Sequence, residues 1–588
     1  MKSILIGALC CFSFFSQAQD HEFEWWDPMQ SPFQVVEGQA WGSESNGDYH
    51  RLPKRADGLV RESVYSLGTQ SAGLMIRFRT NARSIKVKYQ IEKGHNIALH
   101  HMPATGVSGL DLYAIDSEGK ELWCAARRSY QDTISYHFND IESKTNYHKL
   151  GNEYRLYLPL YSKVEWLKIG VNAHSHFEAL PIRNERPIVV YGTSIAQGAC
   201  ASRPGMAWTA ILGRKFDRPL INLGFSGTGL LDIPVIDLMA EIDAKIFILD
   251  CMPNLTNRGH TDKELKDLII NATKRLKAKR PEIPVLLVAH AGYTHGLTNP
   301  TIQTAYERVN LIQSDAFFEL KKEGVDGLYY LSHTDINLQQ DDMVDGVHPT
   351  DLGMVHYADS YELKLRDILR EPVGKSTTTI PMTQYREPLN YDWEKRHREI
   401  LDLNKSNPPK TIMIANSIIH FWGGQPKAKI VRDGASWESV LTPAGVRNYA
   451  YGWDRIENVL WRVYHGELDG FEAEKILLMI GTNNLHLNTN EEIVEGLALL
   501  VKAIQHRQPT AEIVLMGILP RRDYEERIVE LNFEIARIAG RQDIQYADLG
   551  IVFLEENKLV NESLFSDGLH PNKAGYEKLI QVLGPLVE

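Results

Sequence analysis

The residues that could carry chemistry lie in two serine-centred sets. Pro187-Ile-Val-Val-Tyr-Gly-Thr-Ser194 is a β-branched run ending on Gly192, Thr193 and Ser194, and it continues into Ile195-Ala-Gln-Gly198. Such a run reads as a buried strand that turns sharply into a helix. The serine hydroxyl then sits at the open end of a sheet, and its N–H sits at a helix N-terminus, where charge on a nearby oxygen is favoured. By itself this turn is common structural punctuation. Much later, Asp345-Gly-Val-His348 sets a carboxylate and an imidazole three residues apart, so one backbone turn carries both. A serine hydroxyl is a poor nucleophile until a base takes its proton. A neutral imidazole near its ordinary pKa does this at neutral pH, and a carboxylate on the other ring nitrogen holds the required tautomer. The same residue types recur in the second half, in Thr411-Ile-Met-Ile-Ala-Asn-Ser417, Lys475-Ile-Leu-Leu-Met-Ile-Gly-Thr-Asn-Asn484 and Asp567-Gly-Leu-His570. Ser194 and His348 are 154 positions apart, Ser417 and His570 153. Two such orders at nearly one spacing indicate a tandem duplication of one domain class, not a short-period solenoid.

The elements around these residues follow a β/α plan. From 186 to 372, strands at 187–191, 245–249 and 285–289 alternate with helices over 261–279 and 304–322. This alternation predicts a doubly wound parallel sheet, whose ligands bind at the carboxyl ends of the strands, where the motif residues fall. The plan repeats over 406–588. Between the copies, 373–405 comprises a Thr/Pro-rich linker and, from Tyr391 to Leu403, a helix expected to be exposed. Residues 22–183 read as all-β. Leu74, Ile76 and Phe78 alternate with Met75, Arg77 and Arg79, and Ile85, Val87, Tyr89 and Ile91 alternate with Lys86, Lys88 and Gln90, which predicts a hairpin with one wet face. The expected architecture is α/β: a β-sandwich followed by two parallel-sheet domains. The sandwich serves as scaffold or lid, or binds carbohydrate through aromatics such as Trp25, Trp26 and Trp41; packing roles for these rings are the plainer reading.

The four blocks at Ser194, Gly224-Phe-Ser-Gly227, Asp250-Cys-Met-Pro-Asn254 and Asp345-x-x-His348 resemble the SGNH (GDSL-type) hydrolase family, and Gly109-x-Asp-Leu-Tyr113 resembles the signature of the β domain that precedes one branch of it. The second copy resembles SGNH enzymes related to the platelet-activating-factor acetylhydrolase catalytic subunits. The resemblance implies a flavodoxin-like fold and an esterase with Ser194 as nucleophile, His348 as base then acid, and Asp345 as orienter. Its oxyanion donors would be the N–H groups of Ser194 and Gly227 and the side chain of Asn254. In the second copy the corresponding residues are Ser417, His570 and Asp567, with Ser417, Trp453 and Asn483 around the oxyanion. That copy departs from the pattern. Ala415-Asn-Ser417 replaces the usual Gly-Asp-Ser, and Trp453 stands where a glycine normally gives its N–H. A narrower second site is therefore expected. By analogy with exported SGNH enzymes carrying β domains, the substrate is an acetylated or otherwise short-acylated carbohydrate. A lipid or thioester hydrolase, or a glycan-binding protein with an inert hydrolase domain, are the alternatives.

Composition narrows the partners. A net charge of −11 without a Lys/Arg block argues against nucleic acid. The first 18 residues have one cation, an apolar run and small residues at Ser16 and Ala18, as in a secretory signal, so a periplasmic or secreted chain with no membrane span is expected. Beyond that signal lie Cys124, Cys200 and Cys251, which is no disulfide scaffold. Cys200 and Cys251, each close in sequence to a motif residue, are either paired or two free buried thiols. No Gly-x-Ser-x-Gly elbow and no His-Glu-x-x-His is present. His174 with His176, and His290 with His295, lack a companion zinc pattern, and His100-His101 reads as a solvated loop. No metal and no cofactor is called for. Oligomeric state is open.

Overall fold

The computed structural model describes residues 22–45, 47–142 and 150–587; the expected signal at 1–18 lies outside them. The architecture is α/β, with two antiparallel sheets followed by two parallel ones. The chain forms two compact units. One holds the sandwich and the first parallel sheet and ends at Ile368; the other, from Leu369, holds the second parallel sheet. No helix among the described residues is long and apolar enough to cross a membrane.

In one sandwich sheet Ile85–Ile91 lies between Val164–Asn172 and Ile134–Phe138; in the other Asn152–Tyr157 lies between Met75–Thr80 and Asp111–Ile115. Ile85, Val87, Tyr89 and Ile91 are buried in alternation with half-buried polar neighbours, the period of a strand with one covered face. The expected hairpin does not form. Met75–Thr80 and Ile85–Ile91 belong to opposite sheets, and the chain crosses between them at 81–84. Nor is the first of these strands wet on one face: Arg77 and Arg79 are 2% and 3% exposed, paired with Glu153 at 2.9 Å and Glu178 at 3.1 Å. Alternation reports which face is apolar, not which strand lies alongside, and an arginine buried against a carboxylate reads in sequence like a solvated one. Trp41 is buried with its indole N–H on Glu241 at 2.8 Å, and Trp26 packs on Phe177, so both are packing residues.

The first parallel sheet comprises β1 (Ile188–Gly192), β2 (Leu220–Gly224), β3 (Ile246–Asp250), β4 (Val285–Val288) and β5 (Leu328–Leu331), in the order 2-1-3-4-5. The second comprises β6 (Thr411–Ala415), β7 (Val446–Asn448), β8 (Lys475–Met479), β9 (Glu512–Met516) and β10 (Gln545–Ala547), in the equivalent order 7-6-8-9-10. This is the flavodoxin-like winding, with its switch point beside β1 or β6. All residues of β1, β2 and β3 are buried, as strands covered on both faces must be. Thr261 caps the helix Asp262–Lys279 through a reciprocal box with Glu264, and Pro300 opens the helix ending at Lys322.

The helix after the linker, Trp393–Ser406, is not exposed. Trp393, Arg396, His397, Ile400 and Asn404 are buried. Its charged residues disguise this face, because Arg396 donates to backbone carbonyls and His397 Nδ1 meets Glu467 at 2.9 Å.

Candidate active site

Each serine stands one residue past its strand–turn junction. Thr193 caps the short helix Ser194–Gln197 by accepting the Ile195 N–H, and Asn416 caps Ser417–His420 by accepting the Ile418 N–H at 3.0 Å. The serine N–H lies in the first turn, which has no intrahelical acceptor. Ser194 and Ser417 are 8% and 7% exposed, so each is largely enclosed by its surroundings.

The histidines arrive from the loops before the last helices. Ser194 Oγ is 2.9 Å from His348 Nε2, and His348 Nδ1 is 2.8 Å from Asp345 Oδ2. The other Asp345 oxygen accepts the N–H groups of Val347 and His348 at 3.0 and 2.8 Å. Site 2 repeats this: Ser417 Oγ to His570 Nε2 2.8 Å, His570 Nδ1 to Asp567 Oδ2 2.8 Å, and Asp567 Oδ1 accepting from Leu569 and His570 at 3.1 and 2.8 Å. Partial burial raises the pKa of both carboxylates, but the hydrogen bonds and charge of the histidine more than offset it, and each is held at about 2. The pKa of His570 is lowered, first by burial and then by Arg432 and Arg521, against the pull of Asp567.

The block-two turn lies beside the strand that leads to each serine: the Phe225 N–H donates to the Gly192 carbonyl at 3.0 Å, and the Tyr451 N–H to the Ala415 carbonyl at 3.1 Å. Gly227 lies in the turn after β2 with φ of 68°. With its amide assigned to satisfy both donors, Asn254 Oδ1 accepts the N–H groups of Thr228 and Gly229, each at 3.0 Å, which turns its NH2 away from them. In site 2, Asn483 donates to the Asp454 carbonyl at 3.0 Å. Trp453 occupies the Gly227 position in the same left-handed conformation, φ 60°. A Cβ at Gly227 would meet nothing within 4 Å, so the glycine answers to φ and not to space. The Trp453 side chain reaches Glu387.

The support around the two serines matches residue for residue, with the arginines drawn from unrelated segments and Gln197 and His420 from the equivalent short helix. Arg51 of the sandwich, 1% exposed, donates to the carbonyls of Asn222 at 3.1 Å and Gly224 at 2.7 Å and lies 5.1 Å from the Phe225 ring. Arg396 of the post-linker helix, 4% exposed, donates to the equivalent carbonyls of Asn448 and Ala450, each at 3.0 Å, and lies 5.2 Å from the Tyr451 ring. The Ser226 N–H donates to Gln197 Oε1 at 3.0 Å; the matching Gly452 N–H donates to His420 Nδ1 at 2.9 Å. The Gly227 carbonyl is held by Arg258, and the Trp453 carbonyl by Arg386 at 3.0 Å. Sequence reading missed all six of these side chains. Each acts on backbone, and a lone arginine or glutamine leaves no spacing signal.

The Gly109-x-Asp-Leu-Tyr113 string does its work at the seam with the hydrolase sheet. Asp111 pairs with Arg203, accepts the Gly205 N–H at 3.0 Å and the Trp123 indole N–H at 2.7 Å, while Tyr113 Oη meets Arg203 at 2.6 Å. Tyr161 of the sandwich reaches the Ser194 carbonyl at 3.3 Å. Cys200 and Cys251 are free, so the disulfide is not formed. Cys251 is wholly buried with its thiol on the Tyr191 carbonyl, whereas Cys200 lies beside His348. His101 is not in a solvated loop: it is half-buried, its ring 5.3 Å from that of His348.

Comparison with known proteins agrees with this arrangement. Residues 185–366 and 416–578 each match the GDSL-like Lipase/Acylhydrolase family, and 23–177 match the family described as the N-terminus of Esterase_SGNH_hydro-type. The chain is 30% identical to a protein of Bacteroides ovatus ATCC 8483 assigned to the GDSL-like lipases, whose crystal structure superposes with a TM-score of 0.53 over 59% of this chain and 98% of that one. It is 25% identical over 200 residues to human platelet-activating factor acetylhydrolase IB subunit alpha1, covering 33% of this chain and 82% of the relative. It is 27% identical over 201 residues to the rat alpha2 subunit, covering 33% and 83%. Two serine–histidine–carboxylate arrays on two flavodoxin-like sheets, each within a matched segment, are the reason for the conclusion: this chain is a carboxylic ester hydrolase of the SGNH (GDSL-like lipase/acylhydrolase) family.

Proposed function

We propose that the chain removes acetyl or other short acyl groups from carbohydrate esters outside the cytoplasm, at two Ser-His-Asp sites. The observation that carries the reading is the duplicated array, Ser194–His348–Asp345 and Ser417–His570–Asp567, with serine–histidine distances of 2.9 and 2.8 Å. In each site His Nε2 takes the serine proton as Oγ attacks the ester carbonyl, then gives it to the leaving alcohol. Water enters by the same route in reverse and releases the acid. The N–H groups of Ser194 and Gly227 and the Asn254 amide stabilise the oxyanion in the first site; those of Ser417 and Trp453 and the Asn483 amide do so in the second. The acyl size follows the acetylhydrolase relatives. The carbohydrate follows from an esterase bearing a sandwich domain that packs onto its cleft, and export from the signal-like first 18 residues.

The test is a series of chromogenic acyl esters and acetylated sugars given to wild type, Ser194→Ala and Ser417→Ala. Each single variant should lose one part of the substrate profile, and the double variant should lose all of it. Undiminished hydrolysis by the double variant refutes the serine assignment. If Ser417→Ala changes no substrate while Ser194→Ala removes all turnover, the second site is inert. Preference for long-chain esters over acetates overturns the short-acyl reading. Mass measurement of the protein recovered from outside the cytoplasm tests cleavage after Ala18.

A further inference from the structure

We propose that the first site, and not the second, is reversibly closed by a thiophilic divalent cation, with Zn2+ the best fit, held by His101, Cys200 and His348. The proposal rests on the esterase reading for its consequence, but the cation site itself stands on geometry. One ligand atom from each of the three residues lies within 4.8 Å of the others, and no other such group of His, Cys, Asp and Glu occurs among the described residues. Zinc bonds of about 2.0–2.1 Å to nitrogen and 2.3 Å to sulfur need donors roughly 3.5 Å apart, a closure of about 1 Å by side-chain rotation. Two imidazoles and a thiolate are a set that zinc favours over hard cations.

The surroundings hold these ligands in place, and the contact that a cation would displace is that of His348 Nε2 with Ser194 Oγ at 2.9 Å. His100 and His101 form the tip of a tight turn in which Leu99 and Met102 exchange both backbone hydrogen bonds, at 2.9 and 3.1 Å. The turn is fixed on the hydrolase domain, since Thr105 donates to the Ser202 carbonyl at 2.6 Å and Ser202 is held by Asp351 through its N–H at 2.9 Å. His101 Nδ1 is buried with no hydrogen-bond partner among the described residues. Cys200 is held at φ of 69°, a conformation that a β-carbon disfavours. Asp345 on His348 Nδ1 is the carboxylate–imidazole arrangement that also orients metal-bound histidine. On binding, His348 Nε2 and a His101 nitrogen give their lone pairs to the cation, and the Cys200 thiol gives its sulfur while its proton leaves to solvent. The lone pair that would receive the Ser194 proton is then engaged, so metal binding and ester hydrolysis exclude each other. The equivalent stretch of the second copy, Phe421-Trp-Gly-Gly424, has no cysteine or histidine.

The direct test is cobalt. Co2+ added to the full-length, metal-stripped protein should give tetrahedral visible bands with a near-ultraviolet thiolate band at one equivalent, irrespective of ester turnover. Cys200→Gly, which suits that φ, should lose the thiolate band, and His101→Ala should weaken binding by at least about tenfold. In Ser417→Ala, which reports the first site alone, Zn2+ should suppress turnover reversibly on chelation. In Ser194→Ala it should not. Inhibition in Cys200→Gly and His101→Ala, each measured against its own zinc-free rate, should need at least about tenfold more Zn2+. The proposal is overturned by the absence of a cobalt–thiolate band in the wild type, by a band that survives Cys200→Gly, or by equal zinc inhibition of both sites. If the band forms but neither serine variant loses turnover, the metal site stands and the esterase reading fails.

Discussion

The two candidate sites are built alike around the serine and histidine and differently where the fold must be held. In both, the strand that carries the oxyanion turn ends in carbonyls with no further strand to take them, and a buried arginine supplies the donors. In the first copy that arginine, Arg51, comes from the sandwich that precedes the sheet; in the second, Arg396 comes from the helix that follows the linker. The backbone needs a donor there because a buried carbonyl without one costs about 1–3 kcal/mol, and it is indifferent to which segment provides it. The sandwich is thus not an accessory to the first site, and 373–405 is not merely a tether. Each completes its own cleft. What differs is the wall: His101 and Cys200 beside His348, against Arg432, Arg521 and Trp453 in the second site.

Breaking the shared chemistry has the largest expected effect. Asp345→Asn in a Ser417→Ala background, and Asp567→Asn in a Ser194→Ala background, should each fold and lose about 10,000-fold in turnover, since an amide holds the wrong imidazole tautomer. Steady-state kinetics on an acetate ester decides; a loss under tenfold in either site shows that the carboxylate does not orient that histidine. Removing the supporting arginines comes next. Arg51→Met should lower the calorimetric transition of the first unit by roughly 3 kcal/mol and leave the second alone, and Arg396→Met the converse. A variant that shifts neither transition shows that its arginine does not hold its oxyanion-side strand.

A buried acid separates the copies by pH. Asp250, at the end of β3, is raised to about 7 by burial, with Tyr361 donating to it at 2.9 Å; Met479 fills the place in the second copy. The folded state therefore holds a proton that the unfolded chain gives up near 3.8. The contribution of Asp250 to the stability of the first unit should be fully present below that value and be lost as pH rises towards 7, at up to about 1.4 kcal/mol per pH unit. Asp250→Asn should flatten this slope, as read from thermal transitions at several pH values. An unchanged slope would mean the acid ionises freely.

Trp453→Gly should relieve a left-handed side-chain penalty of about 1–2 kcal/mol and let the second site accept longer acyl groups. Because a Cβ at Gly227 meets no atom, Gly227→Trp should fold at the same left-handed cost of about 1–2 kcal/mol and shorten the acyl preference of the first. Chain-length profiles that do not move in these variants refute the ring as the size filter. The smallest effect concerns His570. Burial lowers its pKa from the ordinary 6.5, so the acidic limb of kcat/KM in Ser194→Ala should fall below that value. Arg432→Ala or Arg521→Ala should move it upward, by removing a like charge; no movement in either would leave burial as the sole cause.

What the sequence determined alone is what short-range rules encode. Strand–Gly–Thr–Ser–helix and Asp-x-x-His are local, so residue types and spacing place the candidate serine, histidine and aspartate on their elements, and the repeat of the order reveals the duplication. The α/β class follows from periodicity in the same way. Tertiary structure decided whatever depends on contacts across long stretches of chain. It put Met75–Thr80 and Ile85–Ile91 in opposite sheets, buried the charged face of Trp393–Ser406, left Cys200 and Cys251 unbonded, and carried His101 to His348. Arg51, Arg396, Gln197 and His420 were invisible for one reason: each satisfies backbone groups distant in the chain, and a backbone carbonyl or N–H is the same at every residue, so it leaves no mark on which side chain will find it.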